Sequence, residues 1–338
     1  MSTSAEAAPG APLALSCGDP AGIGAEIAAA AWAARAPEDP PFFVIGDARL
    51  FAAAGAPTAR IEAPEEAAAA ATRALPVLHR PLPGASAPGR PDPTDAPTVV
   101  ASIEEAVALT LAGRAAAVVT LPISKRALHE GAGFAFPGHT EFLASLSGGA
   151  RPVMMLAAPA LRVIPVTVHM PLAEVPGALS AALIEETARI AHAALRRDFA
   201  IPAPRLAVAG LNPHAGEGGA MGREEIEIIA PAIARLRAAG LDVSGPLPAD
   251  AMFHEAARAR YDAALCMYHD QALIPLKTLD FARGVNVTLG LPFVRTSPDH
   301  GTAYDIAGKG VADPTSLIEA LHLAARMARA RAAAAAAA

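Results

Sequence analysis

Short apolar runs alternate with longer helical patterns along almost the whole chain, and this alternation restricts the fold more than any other feature. The apolar runs have the length of strands, and the segments between them have the length of helices. Such an alternation is typical of an α/β protein with a central, mostly parallel sheet. The predicted strands span residues 13–17, 42–46, 74–78, 115–120, 153–157, 162–169, 205–210, 263–268 and 285–288. The predicted helices span residues 25–36, 102–112, 180–197, 224–237 and 314–330.

Two helix starts carry capping signals. Ser102 and Glu105 have the spacing of a capping box, which predicts that the Ser102 hydroxyl accepts a hydrogen bond from a free amide at a helix start. Asp313 followed by Pro314 predicts the start of the last helix, with proline in its first turn. We expect residues 1–11 to be disordered, and the alanine run of residues 332–338 to be a frayed helix end or a disordered tail.

The composition excludes several classes of partner. The formal net charge is −6 and the basic residues form no cluster, so neither nucleic acid nor an anionic membrane is an expected partner. No apolar run reaches the roughly 20 residues that a membrane span needs, and residues 1–11 lack the pattern of a signal peptide. Cys17 and Cys266 each lie in a predicted buried strand, and nothing indicates a disulfide. A reducing cytoplasm is therefore the expected compartment.

Three histidines follow three predicted strands in the same way. His169 ends the run RVIPVTVH, His214 ends RLAVAGLNPH and His269 ends YDAALCMYH. Any one of them alone is more simply explained as a loop histidine with ordinary hydrogen bonds. Ligands of open α/β sheets bind in the crevice outside the strands' carboxyl ends, where three neutral imidazoles suit a divalent metal such as zinc. Asp270, directly after His269, could orient that ligand through a hydrogen bond.

Lysine is rare in this chain, and two of its three lysines lie in one segment. The lysines are Lys125, Lys277 and Lys309, and the segment spans residues 268–310. Lysine is a compact, rotatable point charge, whereas arginine is a planar fork, so a retained lysine indicates a role that arginine does not fill. The segment therefore predicts a site that binds an anionic ligand.

Two glycine-containing motifs precede predicted helices. GDPAGIGAEI, residues 18–27, spaces its glycines G-x-x-x-G-x-G, which does not match the G-x-G-x-x-G dinucleotide fingerprint, so a tight turn between strand and helix is expected. PGHTEFLA, residues 137–144, places His139 and Thr140 just before a short helix. The free amides of a helix start favour anions, although an ordinary helix N-cap explains the same residues.

One string introduces a resemblance to known enzymes. DHGTAYDIAGKG, residues 299–310, resembles the adenosine-binding loop of the isocitrate and isopropylmalate dehydrogenases, which lack the G-x-G-x-x-G fingerprint. Nearly the whole chain resembles the family of 4-hydroxythreonine-4-phosphate dehydrogenases, through GDPAGIGAE, PISK, GHTE, VTVHMPL, GLNPHAGEGG, GPLPAD, YHDQALIPLK and VNVTLGLPFVRTSPDHGTAYDIAG. Ala25 and Ser124 stand where that family usually has proline and asparagine, and neither is expected to touch the chemistry.

The resemblance implies a role for each candidate site residue. It makes His169, His214 and His269 the ligands of a divalent metal. Zinc is the expected metal, with magnesium or cobalt as alternatives. Contacts to a phosphorylated amino-acid substrate are assigned to His139, Thr140, Lys277, Asn286 and Arg295. Contacts to NAD or NADP are assigned to Asp299, His300, Gly301 and Asp305. Lys277 and Asp270 are both candidates for the catalytic proton relay, and the sequence does not choose between them.

The resemblance also implies an architecture. The isocitrate/isopropylmalate dehydrogenase-like fold has two α/β domains with an interdomain cleft. We expect residues 12–128 and 290–330 to form the first domain, and residues 129–289 to form the second with the metal ligands and dimer contacts. A homodimer whose two subunits share one metal site follows from the same resemblance.

The implied activity is oxidation of 4-phosphohydroxy-L-threonine by NAD with a divalent metal. The 3-keto acid then loses CO2 to give 3-amino-2-oxopropyl phosphate, in the synthesis of pyridoxal 5′-phosphate. Two alternatives stay open at this point. Relatives of the family oxidise a terephthalate dihydrodiol or a phosphorylated sugar acid. Phosphate acyltransferases of similar fold form a different class, although they need neither three histidines at strand ends nor the loop of residues 299–310.

Overall fold

The computed structural model describes residues 10–337, and the expected alternation of strands and helices is confirmed. The strands are β1 (Leu13–Ser16), β2 (Phe42–Gly46), β3 (Thr58–Ile61), β4 (Leu75–His79), β5 (Val118–Val119), β6 (Val153–Ala158), β7 (Leu161–Pro165), β8 (Arg205–Ala209), β9 (Asp242–Leu247), β10 (Ala263–Cys266), β11 (Val285–Leu289) and β12 (Arg295–Pro298). The helices are α1 (Gly24–Ala33), α2 (Ala48–Ala53), α3 (Ala67–Ala70), α4 (Ala96–Leu111), α5 (Lys125–Ala132), α6 (His139–Leu146), α7 (Val175–Ala178), α8 (Ala181–Asp198), α9 (Ala230–Ala238), α10 (Glu255–Arg258), α11 (His269–Leu279) and α12 (Thr315–Ala336). None of the helices in the described residues has the length and apolar character that crossing a membrane requires.

The chain forms two compact units. Within the described residues, those from Gly10 to Pro152 and from Leu291 to Ala337 form the first unit, and Val153–Gly290 form the second. The first boundary therefore lies after Pro152, whereas the sequence placed it after residue 128. The difference arises because α5 and α6 both pack against α4, which belongs to the first unit.

The first unit is built on six parallel strands in the order β3-β4-β2-β1-β5-β12. Strands β1 and β2 are buried along their whole length, as their uninterrupted apolar sequences indicate. The sequence did not predict β3 or β12. Strand β3 is a partly exposed strand at the end of this order, and β12 has the polar sequence RTSP although all four of its residues are buried.

The second unit combines antiparallel and parallel pairing, in the order β11-β6-β7-β10-β8-β9. Strand β6 runs antiparallel to both β11 and β7. Strand β10 lies between β7 and β8 and is parallel to both. The carboxyl ends of β7, β10 and β8 therefore lie next to one another at one edge of the strands. The expectation of an α/β protein with mostly parallel strands is confirmed.

The predicted capping box at Ser102 is wrong. Helix α4 begins at Ala96, so Ser102 lies in its second turn, where its hydroxyl donates to the Val99 carbonyl at 2.8 Å. The same hydroxyl accepts a hydrogen bond from the amide of Cys17 at 3.4 Å. The chain enters α4 through a 3₁₀ turn, Pro93–Asp95, in which the Asp92 carboxylate accepts from the amide of Thr94 at 3.0 Å.

The start of the last helix is confirmed. The Asp313 carboxylate accepts from the amide of Thr315 at 2.9 Å and from its hydroxyl at 2.6 Å. Helix α12 continues to Ala336, so residues 332–336 form the end of this helix rather than a disordered tail. Residues 1–9 and Ala338 lie outside the described residues.

A tight turn joins β1 to α1, as the glycine spacing predicted. The amide of Ile23 donates to the carbonyl of Thr302 at 3.0 Å, which holds the turn against the loop of residues 299–310. A Cβ atom on Gly22 would lie 2.9 Å from that Thr302 carbonyl oxygen. A glycine at this position therefore lets the two backbones approach each other.

We expect Gly22→Ala to lower the Tm by several degrees, because the added methyl group must displace backbone rather than a flexible side chain. Overpacking of this kind costs roughly 1–3 kcal/mol, and each kcal/mol shifts the Tm of a domain of 150–250 residues by roughly 2–4 °C. Differential scanning calorimetry measures the shift. Gly177→Ala in α7 is the matched control, because its added Cβ meets nothing within 4 Å, and its Tm should not fall. Equal Tm values for the two variants would contradict the close approach.

Candidate active site

The three histidines predicted as metal ligands follow three neighbouring parallel strands. His169 lies four residues after β7, His214 lies five residues after β8, and His269 begins α11 three residues after β10. Since β10 pairs with β7 on one side and with β8 on the other, all three loops leave the strands at the same edge. The topology that the sequence predicted for these residues is therefore present.

Two of the three rings lie close together. The ring centroids of His169 and His269 are 5.5 Å apart, with their planes at 43°. Both rings line a cavity of about 370 Å³, whose wall also includes Thr167 and Tyr268. The Nδ1 of His269 donates to the Asp270 carboxylate over 2.7 Å, so the other ring nitrogen, Nε2, is the one left for a ligand.

His214 lies on a loop with an uncommon backbone. Five consecutive residues, from His214 to Gly218, have φ between 43° and 79°, the left-handed region. His214 is exposed, and residues 10–337 contain no group of three histidine, cysteine or acidic side chains already gathered around one point. The donor set nevertheless fits a divalent metal, because imidazole nitrogens on three adjacent loops are typical ligands of zinc and cobalt.

Helix α11 continues the site from His269 towards Lys277. Asp270 and Lys277 are seven residues apart, so they lie on the same face of this helix. The Nζ of Lys277 lies 5.6 Å from the centroid of the Phe281 ring, within the range of a cation–π contact. Asn286, another predicted substrate contact, is a half-buried residue of β11.

In the first unit, Arg295 places a cation in the interior. It begins β12, is only 3% exposed, and its Nη2 donates to the Thr120 hydroxyl at 2.6 Å. Burial lowers the pKa of Arg295 to about 10, so the guanidinium keeps its charge at neutral pH. A guanidinium makes strong, charge-assisted hydrogen bonds to anions, which makes this position suitable for an anionic ligand.

The sequence predicted that His139 and Thr140 precede a short helix. In the structure they form the first turn of that helix, α6. Gly138 precedes the helix, and no side chain caps its free amides. The Nε2 of His139 is buried without a hydrogen-bond partner. Burial holds the pKa of His139 well below its usual value, and the charges of Arg295 and Lys125 lower it further. The ring is therefore neutral at physiological pH.

Lys125 belongs to the same group, although sequence reasoning gave it no role. It begins α5, and a Cβ atom on Gly138 would lie 3.4 Å from its Cε and 3.7 Å from its Nζ. Lys125, His139 and Arg295 thus surround the uncapped amides of α6 with positive charge and donors. The available signal was the rarity of lysine, since Lys125 is one of only three in the chain.

Acidic side chains near the start of the chain hold the loop of residues 299–310 in place within the first unit. The Glu26 carboxylate accepts from the amide of Gly310 at 3.1 Å and also from that of Gly308. The Tyr304 hydroxyl donates to Asp19 at 2.5 Å, and burial together with this carboxylate raises the pKa of Tyr304 to about 12. Gly308 and Gly310 border a cavity of about 590 Å³.

Three of the four predicted cofactor contacts, Asp299, His300 and Gly301, begin this loop, and the fourth, Asp305, follows Tyr304. The amide of Asp299 donates to the Ser316 hydroxyl at 3.0 Å, and Nδ1 of His300 lies 3.1 Å from the Gly301 carbonyl. Gly301 and Asp305 are exposed to solvent. The loop therefore has a fixed base and an accessible face, as a loop that binds a small ligand requires.

Most of the chain matches a known protein family. Residues 38–324 match the family described as pyridoxal phosphate biosynthetic protein PdxA. The chain belongs to the PdxA family. A relative from Roseobacter denitrificans, named 4-hydroxythreonine-4-phosphate dehydrogenase, is 59% identical over 319 residues, which cover 94% of this chain and 97% of that protein. The resemblance predicted from the motifs is confirmed, and a PdxA-family chain of this kind is an enzyme, an oxidoreductase.

Solved structures agree with membership of the PdxA family. The 1.25 Å crystal structure of 4-hydroxythreonine-4-phosphate dehydrogenase from Klebsiella pneumoniae is 40% identical, with a TM-score of 0.84, over 94% of this chain and 99% of that one. A terephthalate 1,2-cis-dihydrodiol dehydrogenase from Burkholderia xenovorans is also similar, with 29% identity and a TM-score of 0.62, over 93% of this chain and 97% of that one. The acyltransferase alternative is not supported, since the chain belongs to a family of dehydrogenases.

The depressed pKa of His139 predicts a pH dependence of stability. Between the usual histidine pKa of about 6.5 and the lower folded value, the unfolded chain binds a proton that folded His139 does not bind. The folded state therefore loses stability as the pH falls through this window. We expect the free energy of unfolding to decline more between pH 7.5 and 5.5 in the wild type than in His139→Gln. Urea denaturation of both proteins at both pH values measures this, and equal declines would contradict a buried neutral ring.

Proposed function

We propose that this PdxA-family enzyme oxidises 4-phosphohydroxy-L-threonine with NAD or NADP and a divalent metal. The secondary alcohol loses a hydride to the nicotinamide and a proton to the protein. The resulting 3-keto acid loses CO2 to give 3-amino-2-oxopropyl phosphate, a precursor of pyridoxal 5′-phosphate. The observation that carries this proposal is the placement of His169, His214 and His269 at the carboxyl ends of three neighbouring parallel strands.

The metal would be held by these three imidazoles. Imidazole suits zinc and cobalt, whereas magnesium prefers oxygen ligands, so the donor set favours zinc or cobalt over magnesium. When bound, such an ion would supply Lewis-acid chemistry that lowers the pKa of the substrate hydroxyl and offsets negative charge developing on that oxygen. The hydrogen bond from His269 to Asp270 fixes the orientation and tautomer of one ligand.

The phosphate and carboxylate of the substrate would be recognised by cations and helix amides. In the first unit these are Arg295, Lys125 and the first turn of α6, with the neutral His139 ring as a further hydrogen-bonding group. In the second unit they are Lys277 and Asn286, as the family resemblance implies. Charge-assisted hydrogen bonds to phosphate are among the stronger polar contacts, which supports a phosphorylated substrate.

Lys277 is the better of the two candidates for the proton relay. Asp270 is already engaged as the acceptor of the His269 hydrogen bond, a role that orients a ligand. Lys277 shares the same face of α11 and carries a rotatable amine two turns farther along the helix. We therefore assign the orienting role to Asp270 and the relay to Lys277.

The dinucleotide would bind the accessible face of the loop of residues 299–310, through Asp299, His300, Gly301 and Asp305. The hydrogen bonds from this loop to Glu26 and Asp19 hold its base in place. Such preorganisation reduces the entropy lost when a flexible cofactor is ordered.

We also propose a homodimer that works in the cytoplasm. Seven large apolar side chains of the second unit are exposed: Met170, Leu172, Met221, Ile226, Ile274, Leu279 and Phe281. Exposed apolar side chains of this size favour an interface between subunits. The two buried cysteines, Cys17 and Cys266, form no disulfide, which agrees with a reducing compartment.

The oxidation of an unphosphorylated diol is the second candidate function. It is favoured by the similarity to the terephthalate 1,2-cis-dihydrodiol dehydrogenase. The uncapped amides at the start of α6 favour the phosphorylated substrate instead, because the start of a helix is a typical phosphate-binding site.

The absorbance of NADH at 340 nm tests the proposed function. We expect the full-length protein to reduce NAD when 4-phosphohydroxy-L-threonine and zinc are present. Treatment with a chelator should abolish the rate, and zinc or cobalt should restore it more fully than magnesium. Undiminished turnover by the metal-depleted protein would contradict the metal-dependent reaction.

The matched substrate for this assay is 4-hydroxy-L-threonine without its phosphate. Its kcat/KM should be lower by a factor of roughly 100 or more, because losing the charge-assisted contacts costs about 3 kcal/mol. A higher kcat/KM for a terephthalate dihydrodiol than for the phosphorylated amino acid would favour the second candidate function.

A further inference from the structure

Three buried polar side chains support the loops that carry the three histidines. Two of them connect one loop to another, and the third holds one loop from the inside. They are Thr167, Gln271 and Glu225, which we call the brace. Thr167 and Glu225 are each 3% exposed and Gln271 is 9% exposed. Burying a polar side chain is unfavourable unless its hydrogen bonds are made, so the partners of these three show what the brace holds together.

Thr167 connects the loops of His169 and His269. Its hydroxyl donates to the Met267 carbonyl at 2.8 Å, and its amide donates to the same carbonyl at 3.2 Å. Thr167 and Met267 each lie two residues before a candidate ligand. Both hydrogen bonds extend the pairing of β7 with β10 beyond the last strand residues, up to the point where the histidines begin.

Gln271 connects the loops of His269 and His214. Its Oε1 accepts from the amide of Met267 at 2.7 Å, and its Nε2 donates to the carbonyl of Gly210 at 2.7 Å. Gly210 is the first residue after β8, at the start of the segment that leads to His214. The amide group of glutamine is suited to this position, because it offers an acceptor and a donor at the same time.

Glu225 holds the loop of His214 from the inside. Its Oε1 accepts from the amides of Leu211 and Asn212, both at 2.8 Å, and its Oε2 accepts from the Asn212 side chain at 2.9 Å. A Cβ atom on Gly216 would lie 2.6 Å from the Glu225 Oε2, so the loop closes tightly around this carboxylate.

The backbone of this loop requires such support. His214, Ala215 and Glu217 all have positive φ, at 54°, 51° and 43°, although each carries a Cβ atom. Left-handed conformations of such residues are unfavourable and persist only where the surroundings determine them. The hydrogen bonds to Glu225 fix both residues immediately before Pro213, which leads into the strained segment.

We propose that the brace sets the relative positions of the three histidine loops and thereby determines the affinity of the metal site. This inference rests on the proposed function only in taking the histidines as metal ligands. Thr167, Gln271 and Glu225 are positioning residues, because they act on the backbone that carries the ligands. The brace lies within one subunit. In a site shared between two subunits, it would position the ligands that each subunit contributes.

Cobalt binding tests this role without recourse to turnover. The metal-depleted full-length protein is titrated with Co²⁺, and the visible absorption bands report both affinity and coordination geometry. Thr167→Val removes the hydroxyl at nearly constant volume, and Gln271→Glu keeps the acceptor but replaces the donor facing the Gly210 carbonyl. We expect each variant to raise the Kd for Co²⁺ about 10–100-fold and to alter the bands. Thr167→Ser, which keeps the hydroxyl, should restore wild-type binding.

Thr187→Val separates positioning from stability. Thr187 is also 3% exposed, and its hydroxyl donates to the Leu183 carbonyl at 2.8 Å, in α8 and away from the three loops. It therefore loses an equivalent hydrogen bond, so its Tm should fall as much as that of Thr167→Val while its Co²⁺ titration stays unchanged. Wild-type Co²⁺ binding by Thr167→Val and Gln271→Glu would overturn the proposed role of the brace. So would a Thr187→Val protein whose Co²⁺ binding is weakened as much as theirs.

His214→Ala distinguishes failure of the brace from failure of the proposed function. If the histidines are ligands, this variant loses Co²⁺ binding, and wild-type binding by the brace variants then overturns the brace alone. If His214→Ala binds Co²⁺ as the wild type does, the metal site itself is overturned, and with it the basis of the brace.

Discussion

The parallel pairing of β10 with both β7 and β8 is the constraint on which the candidate active site depends. Parallel neighbours end at the same edge, so the loops that follow these three strands must leave the sheet side by side. His169, His269 and His214 lie within five residues of those ends. The pairing brings their loops together, and the buried hydrogen bonds of Thr167, Gln271 and Glu225 fix the loops more finely.

The first unit carries buried charge, whereas the candidate metal ligands lie in the second unit. Burial lowers the pKa of the Arg295 guanidinium. Burial of His139, together with the charges of Arg295 and Lys125, lowers the pKa of that imidazole and keeps it neutral. Both effects have one electrostatic consequence, which is that an anion at the start of α6 would be stabilised. A phosphorylated substrate supplies such an anion, and the membership of the PdxA family supports that choice of substrate.

The sequence predicted what depends on apolar runs and missed what depends on buried polar groups and backbone conformation. The three histidines could be found because each follows a strand whose apolar residues are contiguous in the sequence. Strand β12 was missed because its buried residues are polar, and the Ser102 cap was wrong because α4 begins earlier, after a turn capped by Asp92. Lys125 had only the rarity of lysine as a signal, and nothing local in the sequence predicts the positive φ of His214, Ala215 and Glu217.

The central claim is that one divalent metal binds imidazoles from three adjacent strand ends. X-ray absorption at the zinc edge of the zinc-loaded, full-length protein tests it most directly. The account predicts scattering from three imidazole nitrogens at about 2.0–2.1 Å and no sulfur, falling to two imidazoles in His269→Ala. A spectrum dominated by oxygen or sulfur ligands, or one that His269→Ala leaves unchanged, would contradict it.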